Sequence, residues 1–260
     1  MMRQRFRTIS QWPGAAAARL RQTTSRAARF SGVYDSRAAA LAVLPDAARA
    51  GYDNAEIADV SFDWMCQRAA WDYPVLYWLK TIAGEGATIL DAGGHLGTKY
   101  IAFSGVWDMS RVNWVVYDTP GIIAAAQTRQ QTGKLPAEIT FTDELDVLPV
   151  CDVLLASGLI QYLDMPFADF LDRLPQKPSY ILVNKLPLRD GDGFFTLERI
   201  GQARVPYQIR GKAEWAADLA DLGYEVVDQW DIEGLSHSIA THPWLGRNAS
   251  VGYCLRRVTG

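Results

Sequence analysis

The stretch Ile89–Tyr100, ILDAGGHLGTKY, decides how the chain folds. An apolar run ends in an acid, Asp91, and three glycines and a histidine follow it within six residues. The apolar run predicts a buried strand, and the glycines predict a turn that leads into a helix. We expect Gly93 and Gly94 to make the tight turn and Gly97 to let the helix pack closely against the sheet.

Short apolar segments recur along the chain from residue 87 onward. Five of them alternate with helical patterns and are nearly continuously apolar: ATIL, NWVVYD, EITFT, CDVLLAS and SYILVN. Such runs are typical of strands buried on both faces, and their alternation with helices predicts a parallel, doubly wound sheet. Thr119 and Pro120 are typical of the cap and the first residue of one of the intervening helices.

The C-terminal part follows a different pattern. A helix with apolar residues Trp215, Leu219 and Leu222 ends at Gly223, and two strand-like segments follow without a helix between them, YEVVDQW and SVGYCLRRV. Strands joined in this way are expected to pair antiparallel. The predicted fold is therefore α/β: a Rossmann-like, doubly wound, mostly parallel seven-stranded sheet with an antiparallel last strand, plus an N-terminal helical extension.

Three consecutive regions are predicted: a basic leader over 1–30, a helical segment over 31–85 on the substrate side, and a ligand-binding sheet domain over 86–260. The leader contains seven arginines and no acid. We expect it to be a frayed tail. The alternative is an arginine-bearing helix, over 15–29, that contacts an anionic membrane surface or covers a site.

Three tryptophans recur every seven residues in the second region. Trp64, Trp71 and Trp78 are expected to share one face of a helix and to belong to the core. Pro74 is expected to kink or divide that helix.

The composition is that of an ordinary globular protein. The 260 residues are 49% hydrophobic and 21% charged, and the net charge of −3 argues against nucleic acid as a partner. No apolar run reaches the ~18 residues of a membrane span, and the N-terminus lacks the apolar core of a secretory signal. Cys66, Cys151 and Cys254 are odd in number and show no zinc spacing. We therefore predict a reduced, cytoplasmic protein without a metal site.

Asp118 makes the glycine pattern more specific. It ends the second predicted strand, 21 residues after Gly97, where a carboxylate can accept hydrogen bonds from both ribose hydroxyls of an adenosine. NAD and S-adenosylmethionine (SAM) share these hydroxyls. Asp91 inside the turn suits a cationic amino group and would repel a pyrophosphate, and His95 stands where the G-x-G-x-x-G fingerprint needs its second glycine. These features favour SAM.

Residues 91–97, DAGGHLG, resemble the first motif of class I SAM-dependent methyltransferases, D-x-G-x-G-x-G. VVYDTP, FTDEL and ASGLIQYLDMP resemble the segments that follow the next three strands of that family. The resemblance implies Asp118 on the ribose, Asp143 flanked by Thr142 near the adenine, and the residues from Ser157 to Tyr162 beside the methionine part and the acceptor. The cofactor-binding residues so implied are Asp91, Gly93, Gly94, Gly97, Asp118, Thr142, Asp143, Ser157 and Gly158.

A narrower resemblance covers residues 31–257. SGVYDS, GYDN, LDAGGHLGTKY and FFTLERIGQARVPYQI resemble a bacterial family of predicted methyltransferases whose genes often accompany surface-polysaccharide synthesis. This resemblance implies the class of chemistry and leaves the acceptor unnamed.

The candidates for a catalytic base are His95, Tyr162, His237 and His242. The simpler interpretation of His95 is that the turn needs no positive φ there and the side chain points to solvent. The alternative is that it points over the cofactor and acts as a base. Tyr162 is expected to line the acceptor pocket, and His237 and His242 lie between the last two strands, where each can equally be loop surface.

The function predicted from these features is SAM-dependent O-methylation of a small polar acceptor such as a sugar. A base is then needed because a hydroxyl acceptor carries a proton. Three alternatives stay open: a SAM-dependent cyclisation or transfer of another group, a catalytically inactive binding subunit, and an NAD-linked oxidoreductase.

Overall fold

The computed structural model describes residues 2–21, 28–45, 62–201 and 203–258. The chain forms two compact units that interleave along the sequence. We call them the sheet unit (Asp53–Leu186, Ala217–Ile232 and Val251–Gly260) and the hairpin unit (Met1–Tyr52, Pro187–Ala216 and Glu233–Ser250). They do not coincide with the three consecutive regions predicted above, because the chain leaves the sheet unit after residue 186 and again after residue 232.

The sheet unit is built on seven strands. In chain order they are β2 (Thr88–Ala92), β3 (Asn113–Tyr117), β4 (Thr140–Thr142), β5 (Val153–Ser157), β6 (Tyr180–Arg189), β9 (Tyr224–Asp231) and β10 (Ala249–Arg257). Their spatial order is β9-β10-β6-β5-β2-β3-β4. Strands β2 to β6 pair parallel, and β10 pairs antiparallel with β9. The predicted sheet is therefore confirmed.

Helices precede and separate these strands. They are α3 (Phe62–Met65), α4 (Asp72–Ile82), α5 (Thr98–Ser104), α6 (Pro120–Gln131), α7 (Phe167–Asp172) and α8 (Lys212–Asp221). Thr119 is the N-cap residue of α6 and Pro120 its first residue, although the Thr119 side chain makes no capping hydrogen bond. Gly223 follows α8 with φ +76°, as a C-terminal glycine should. Among the described residues, no helix is long and apolar enough to cross a membrane.

The core of the sheet unit lies between α5 and the sheet. Trp114 on β3 is 1% exposed and contacts the rings of Tyr100 and Phe103 edge-on, with centroids 6.0 Å and 6.5 Å away. Ile89 and Leu90 are both buried, although they face opposite sides of β2. Burial on both faces explains why these strands have no polar alternation.

The prediction of one tryptophan-lined helix is wrong within the described residues. Met65 ends α3, and Trp71 precedes α4 as its N-cap residue. Pro74 is the third residue of α4, where its missing N–H has no intrahelical partner to lose. Trp64 is 57% exposed, whereas Trp78 is half-buried and donates from Nε1 to Oδ2 of Asp228 at 2.8 Å.

The hairpin unit contains three antiparallel strands. β1 (Phe30–Tyr34) pairs with β7 (Phe194–Ile200), which pairs with β8 (Ala203–Gly211). Helix α2 (Arg37–Ala42) packs on this sheet through Ala40, Leu44 and Leu197. These strands were not predicted from the sequence, although FFTLERIGQARVPYQI covers β7 and most of β8.

The basic leader also belongs to the hairpin unit. Helix α1 extends over Met2–Arg21, so it begins earlier than the predicted helix at 15–29, of which residues 22–27 lie outside the described residues. The guanidinium of Arg19 lies 5.1 Å from the ring centroid of Trp244. This cation–π contact joins the end of α1 to the segment before β10. The frayed tail and the arginine-bearing helix both stay predictions.

A buried ion pair connects α4 to α5 and so holds the helix that follows the glycine turn. The Nζ atom of Lys99 lies 2.7 Å from Oδ1 of Asp72, and the two side chains are 8% and 1% exposed. The other oxygen of Asp72 accepts a hydrogen bond from the backbone N of Ala69 at 2.9 Å. The two opposite charges therefore compensate each other directly.

Substitution of Gly97 tests whether the turn needs a glycine at this position for close packing as well as for its left-handed backbone. Gly97 has φ +74°, and a Cβ there would lie 2.6 Å from Cδ1 of buried Ile139. We expect Gly97→Ala to lower the free energy of unfolding by ~2–5 kcal/mol, from a left-handed penalty and overpacking. Gly133→Ala is the control, because Gly133 has φ +70° with open space around it. Urea unfolding should show ~1–2 kcal/mol for the control, and equal losses would contradict the packing argument.

Removing one partner of the Asp72–Lys99 pair should leave a buried charge without compensation. We expect Lys99→Met to lower the free energy of unfolding by ~3–5 kcal/mol, and the double variant with Asp72→Asn to recover most of that loss. The control is Arg111→Met, which breaks the exposed Arg111–Glu85 pair and should cost less than ~1 kcal/mol. A double variant no more stable than Lys99→Met would show that the charge is not the cause.

Candidate functional site

The parallel register places the ends of four strands side by side. Ala92 at the end of β2 pairs with Tyr117 on β3, which pairs with Thr142 on β4, and Asp91 pairs with Leu155 on β5. The residues after these strands therefore line one edge of the sheet. The structure brings together there all the residues implied as cofactor-binding: Asp91, Gly93, Gly94, Gly97, Asp118, Thr142, Asp143, Ser157 and Gly158.

The turn between β2 and α5 depends on its glycines for two physical reasons. Gly93 has φ +72°, and its N–H donates to the carbonyl oxygen of Tyr117 at 2.7 Å. Gly94 has an ordinary φ, but a Cβ there would lie 2.6 Å from Oδ2 of Asp91. The first glycine supplies the left-handed backbone and the second supplies space.

His95 corrects the simpler interpretation of the sequence. Its φ is +56° and it is 5% exposed, so the turn does need a positive φ here and the residue does not point into solvent. Histidine is among the residues enriched in the left-handed region, which explains why it is tolerated. The role of His95 as a base stays a prediction.

The Asp118 carboxylate holds this turn in place. Its Oδ2 accepts from the backbone N of His95 at 2.8 Å, and its Oδ1 accepts from the backbone N of Thr119 at 2.8 Å. Asp118 is 6% exposed, so both are charge-assisted bonds in a largely dry environment. Each carboxylate oxygen can accept a further bond, so the residue can hold the turn and still accept from ribose hydroxyls.

Asp91 is a buried carboxyl at the floor of the turn. Burial raises the pKa of Asp91 to about 7, against the lowering effects of nearby Lys99 and of a bond from Nε1 of Trp114 at 3.3 Å. Desolvation is the larger effect because the group is 1% exposed. A cationic ligand at this point would favour the ionised form.

Three polar residues of this region were not predicted from the sequence: Lys185, Lys99 and Asp72. Gln161 belongs to the predicted segment from Ser157 to Tyr162. Lys185 interrupts the apolar run of β6, and this interruption was a usable signal. The pairing of Asp72 with Lys99 was not visible, because it joins residues far apart in sequence.

Lys185 is half-buried and has the left-handed φ of +62°. Burial lowers the pKa of Lys185 to about 8; Lys99 lowers it further, while Asp72 and Asp91 oppose the change. Lysine is normally charged until far higher pH. The Lys185 amine therefore changes between its charged and its neutral form at about pH 8.

His237 and His242 belong to the hairpin unit. The Nδ1 of His237 lies 3.0 Å from the carbonyl oxygen of Leu235, its Nε2 lies 3.3 Å from Nδ2 of Asn248, and its ring stacks on Phe30 at 3.7 Å. Burial lowers the pKa of His237 to about 4, so its ring is neutral at neutral pH. His237 thus has contacts through both ring nitrogens and through the ring face, and its role as a base stays a prediction.

The remaining predicted residues make different hydrogen bonds. Oγ1 of Thr142 accepts from the backbone N of Glu144 at 3.1 Å. Oγ of Ser157 lies 3.4 Å from Nδ2 of Asn184. Tyr162 is half-buried in the turn after β5, where its N–H donates to the carbonyl of Leu159 at 2.8 Å.

Two buried polar atoms near this edge have no hydrogen-bond partner in the described part of the chain: Oγ1 of Thr119 and Oε1 of Gln161. Thr119 follows Asp118, and Gln161 lies in the turn after β5. Buried polar atoms are rarely left unpaired without a reason. A polar ligand at this edge would satisfy both. In the same described residues, no cluster of three His, Cys, Asp or Glu side chains could hold a metal.

No protein-family model and no curated protein matches the chain. Similar solved structures include the [4+2]-cyclase SpnF, with 15% identity, TM-score 0.53, and coverage of 88% of this chain and 100% of that one. A SAM-dependent methyltransferase from Methanosarcina mazei has 11% identity and a TM-score of 0.51, and the match covers 70% of this chain and 98% of that one. The 1,6-didemethyltoxoflavin-N1-methyltransferase of Burkholderia thailandensis has 19% identity and a TM-score of 0.47, and the match covers 73% of this chain and 79% of that one. The chain thus has the Rossmann-like fold of class I SAM-dependent methyltransferases.

Proposed function

We propose that the protein is a SAM-dependent methyltransferase that transfers a methyl group to a hydroxyl of a small polar acceptor, such as a sugar or a related metabolite. The observation that carries the proposal is the glycine turn at residues 91–97. It places two acidic side chains, Asp91 and Asp118, at the ends of adjacent parallel strands, with a left-handed backbone between them.

The residues at this edge fit SAM in charge and in hydrogen bonding. Asp91 would pair with the amino group of its methionine part, and Asp118 would accept from its ribose hydroxyls. Thr142 and Asp143 would lie near its adenine, and Ser157 and Gly158 near its methionine part. When bound, SAM supplies a methyl group that its positively charged sulfur has already activated.

The protein's own contribution is to position the acceptor and to handle its proton. Holding the hydroxyl in line with the methyl group removes much of the entropic barrier. A positioned base contributes ~10²–10⁴-fold when the acceptor carries a proton. Of the predicted bases, His95 and Tyr162 belong to the sheet unit with the glycine turn, and His237 and His242 belong to the hairpin unit. The role of each as a base stays a prediction.

The second candidate function keeps SAM and changes the reaction. The similarity to the [4+2]-cyclase at a TM-score of 0.53 favours it, since the same fold hosts that chemistry. An inactive binding subunit would bind SAM without turnover. An NAD-linked oxidoreductase is less well supported, because His95 replaces a fingerprint glycine and buried Asp91 would meet a pyrophosphate. Membership of the polysaccharide-associated bacterial family and a cytoplasmic location remain predictions.

Calorimetry with Asp118 variants tests the cofactor. Wild-type protein should bind both SAM and S-adenosylhomocysteine, and Asp118→Ala should weaken binding by ~1–3 kcal/mol, because bonds to a charged acceptor are lost. Asp108→Ala is the control, since Asp108 is an exposed acid outside the glycine turn whose side chain accepts hydrogen bonds from Ser110. If the folded wild-type protein gives no heat of binding with SAM or with S-adenosylhomocysteine, the proposed function is wrong. Unchanged affinity in Asp118→Ala would show that this residue does not contact the cofactor.

The raised pKa of Asp91 predicts a pH dependence of binding. The ligand's ammonium stabilises ionised Asp91, so binding releases a proton below about pH 7 and affinity should rise with pH from 5.5 to 7. Linkage limits the increase to about tenfold per pH unit. We would titrate S-adenosylhomocysteine calorimetrically at each pH, with Asp91→Asn as the matched control, which should bind more weakly and without this dependence. Equal slopes in the two proteins would contradict the assignment.

A further inference from the structure

Lys185 lies at the functional edge in a conformation that a lysine rarely adopts. Among the described residues, His95 and Lys185 are the non-glycine residues with positive φ. Asn184 pairs with Ser157, the last residue of β5, so Lys185 lies just beyond the end of that strand. A left-handed lysine inside a strand costs roughly 1–3 kcal/mol and persists only where the surroundings impose it.

The Lys185 side chain passes along Gly158, in the segment predicted to face the acceptor. Its Cδ lies 3.7 Å from the position that a Cβ of Gly158 would occupy, and Nε2 of Gln161 lies 3.6 Å from the same position. Gly158 has φ +84°, so the turn brings backbone rather than a side chain against the lysine. The lysine and the glutamine amide therefore converge on one place after β5.

Lys185 does not stabilise the fold through an ion pair with another described residue. In the part of the chain that the structure describes, its ammonium makes no hydrogen bond and no ion pair within 4.0 Å. The neighbouring Lys99 differs, because Asp72 compensates it directly at 2.7 Å. A half-buried lysine with a lowered pKa and no such partner is a candidate for a catalytic group.

Three charged residues influence Lys185 from the elements packed around it: Asp72 on α4, Asp91 at the end of β2, and Lys99 on α5. Asp72 is already paired with Lys99, and Asp91 is largely protonated below neutral pH because of its own burial. Burial therefore prevails, and the amine is available in its neutral form near pH 8. A neutral amine has a lone pair that can accept a proton.

We propose that Lys185 is the catalytic base that accepts the proton of the acceptor hydroxyl beside Gly158. The inference rests on the proposed function. As the hydroxyl oxygen bonds to the methyl carbon, the carbon–sulfur bond breaks and its electron pair stays on sulfur, while the proton moves from oxygen to Nζ. The ammonium then returns the proton to water. Lys185 thus takes the role considered above for His95, Tyr162, His237 and His242.

The test measures the ionisation of Lys185 in the full-length protein. The chain has six lysines, so NMR of protein with ¹³C-labelled lysine resolves few titrations. We expect one midpoint near pH 8, absent in Lys185→Met and kept in Lys134→Met, which removes an exposed lysine. The midpoint should be about one pH unit lower with SAM than with S-adenosylhomocysteine, because a sulfonium within ~10 Å disfavours the ammonium.

A second variant keeps the test decisive if Lys185→Met does not fold. Lys185→Arg also removes the lysine signal but retains a permanent charge. At pH 8.5 it should lower the affinity for SAM relative to S-adenosylhomocysteine by about tenfold, the fold-change equivalent to that one-unit shift. With whichever free monosaccharide or nucleotide sugar is methylated fastest, Lys185→Arg should lose ~10²–10⁴-fold in rate.

The outcomes separate this inference from the proposed function. A Lys185 midpoint near 10.4, or the same midpoint with both ligands, overturns the assignment of Lys185 as the base while leaving SAM binding intact. Full activity in Lys185→Arg overturns it as well. If neither ligand binds to the folded wild-type protein, the proposed function itself is wrong, and this inference is wrong with it.

Discussion

The bond from the backbone of His95 to the carboxylate of Asp118 is the interaction on which the site depends. It joins the turn after β2 to the end of β3, so two neighbouring strands and the helix after the turn are fixed by one side chain. Because Asp118 is nearly fully buried, water cannot easily replace the bond, and its strength is that of a charge-assisted bond in low dielectric. Any ligand that uses the remaining capacity of this carboxylate meets a turn that is already organised.

Burial has opposite effects on the charges around that turn. It raises the pKa of Asp91 and lowers that of Lys185, so both groups titrate close to neutral pH. The Asp72–Lys99 pair avoids this by direct contact at 2.7 Å. The same buried environment thus contains one ion pair, Asp72–Lys99, and two groups with shifted pKa values, Asp91 and Lys185. Direct contact with an opposite charge distinguishes the pair from the other two groups. Sites that transfer protons commonly combine groups whose pKa values are shifted in this way.

The fold limits the reaction less than these side chains do. Proteins with this arrangement of strands include a methyltransferase and a [4+2]-cyclase at similar TM-scores of 0.51 and 0.53. Under the proposed function the glycine turn binds the cofactor, and its residues do not distinguish between different reactions at the sulfur. The choice between transfer and cyclisation therefore depends on the groups that face the acceptor, among which we place Lys185.

The sheet and the position of the glycine turn could be predicted from the sequence, because apolar runs, glycines and capping residues act locally and repeat with the period of their element. The prediction failed at the tryptophans before α4, where a seven-residue spacing crosses the end of a helix, and at His95, whose positive φ follows from its bond to Asp118. Only the tertiary structure showed that Asp72 compensates Lys99 while Lys185 has no such partner. Burial and pairing of charges depend on contacts between residues distant in sequence, and no local pattern encodes them.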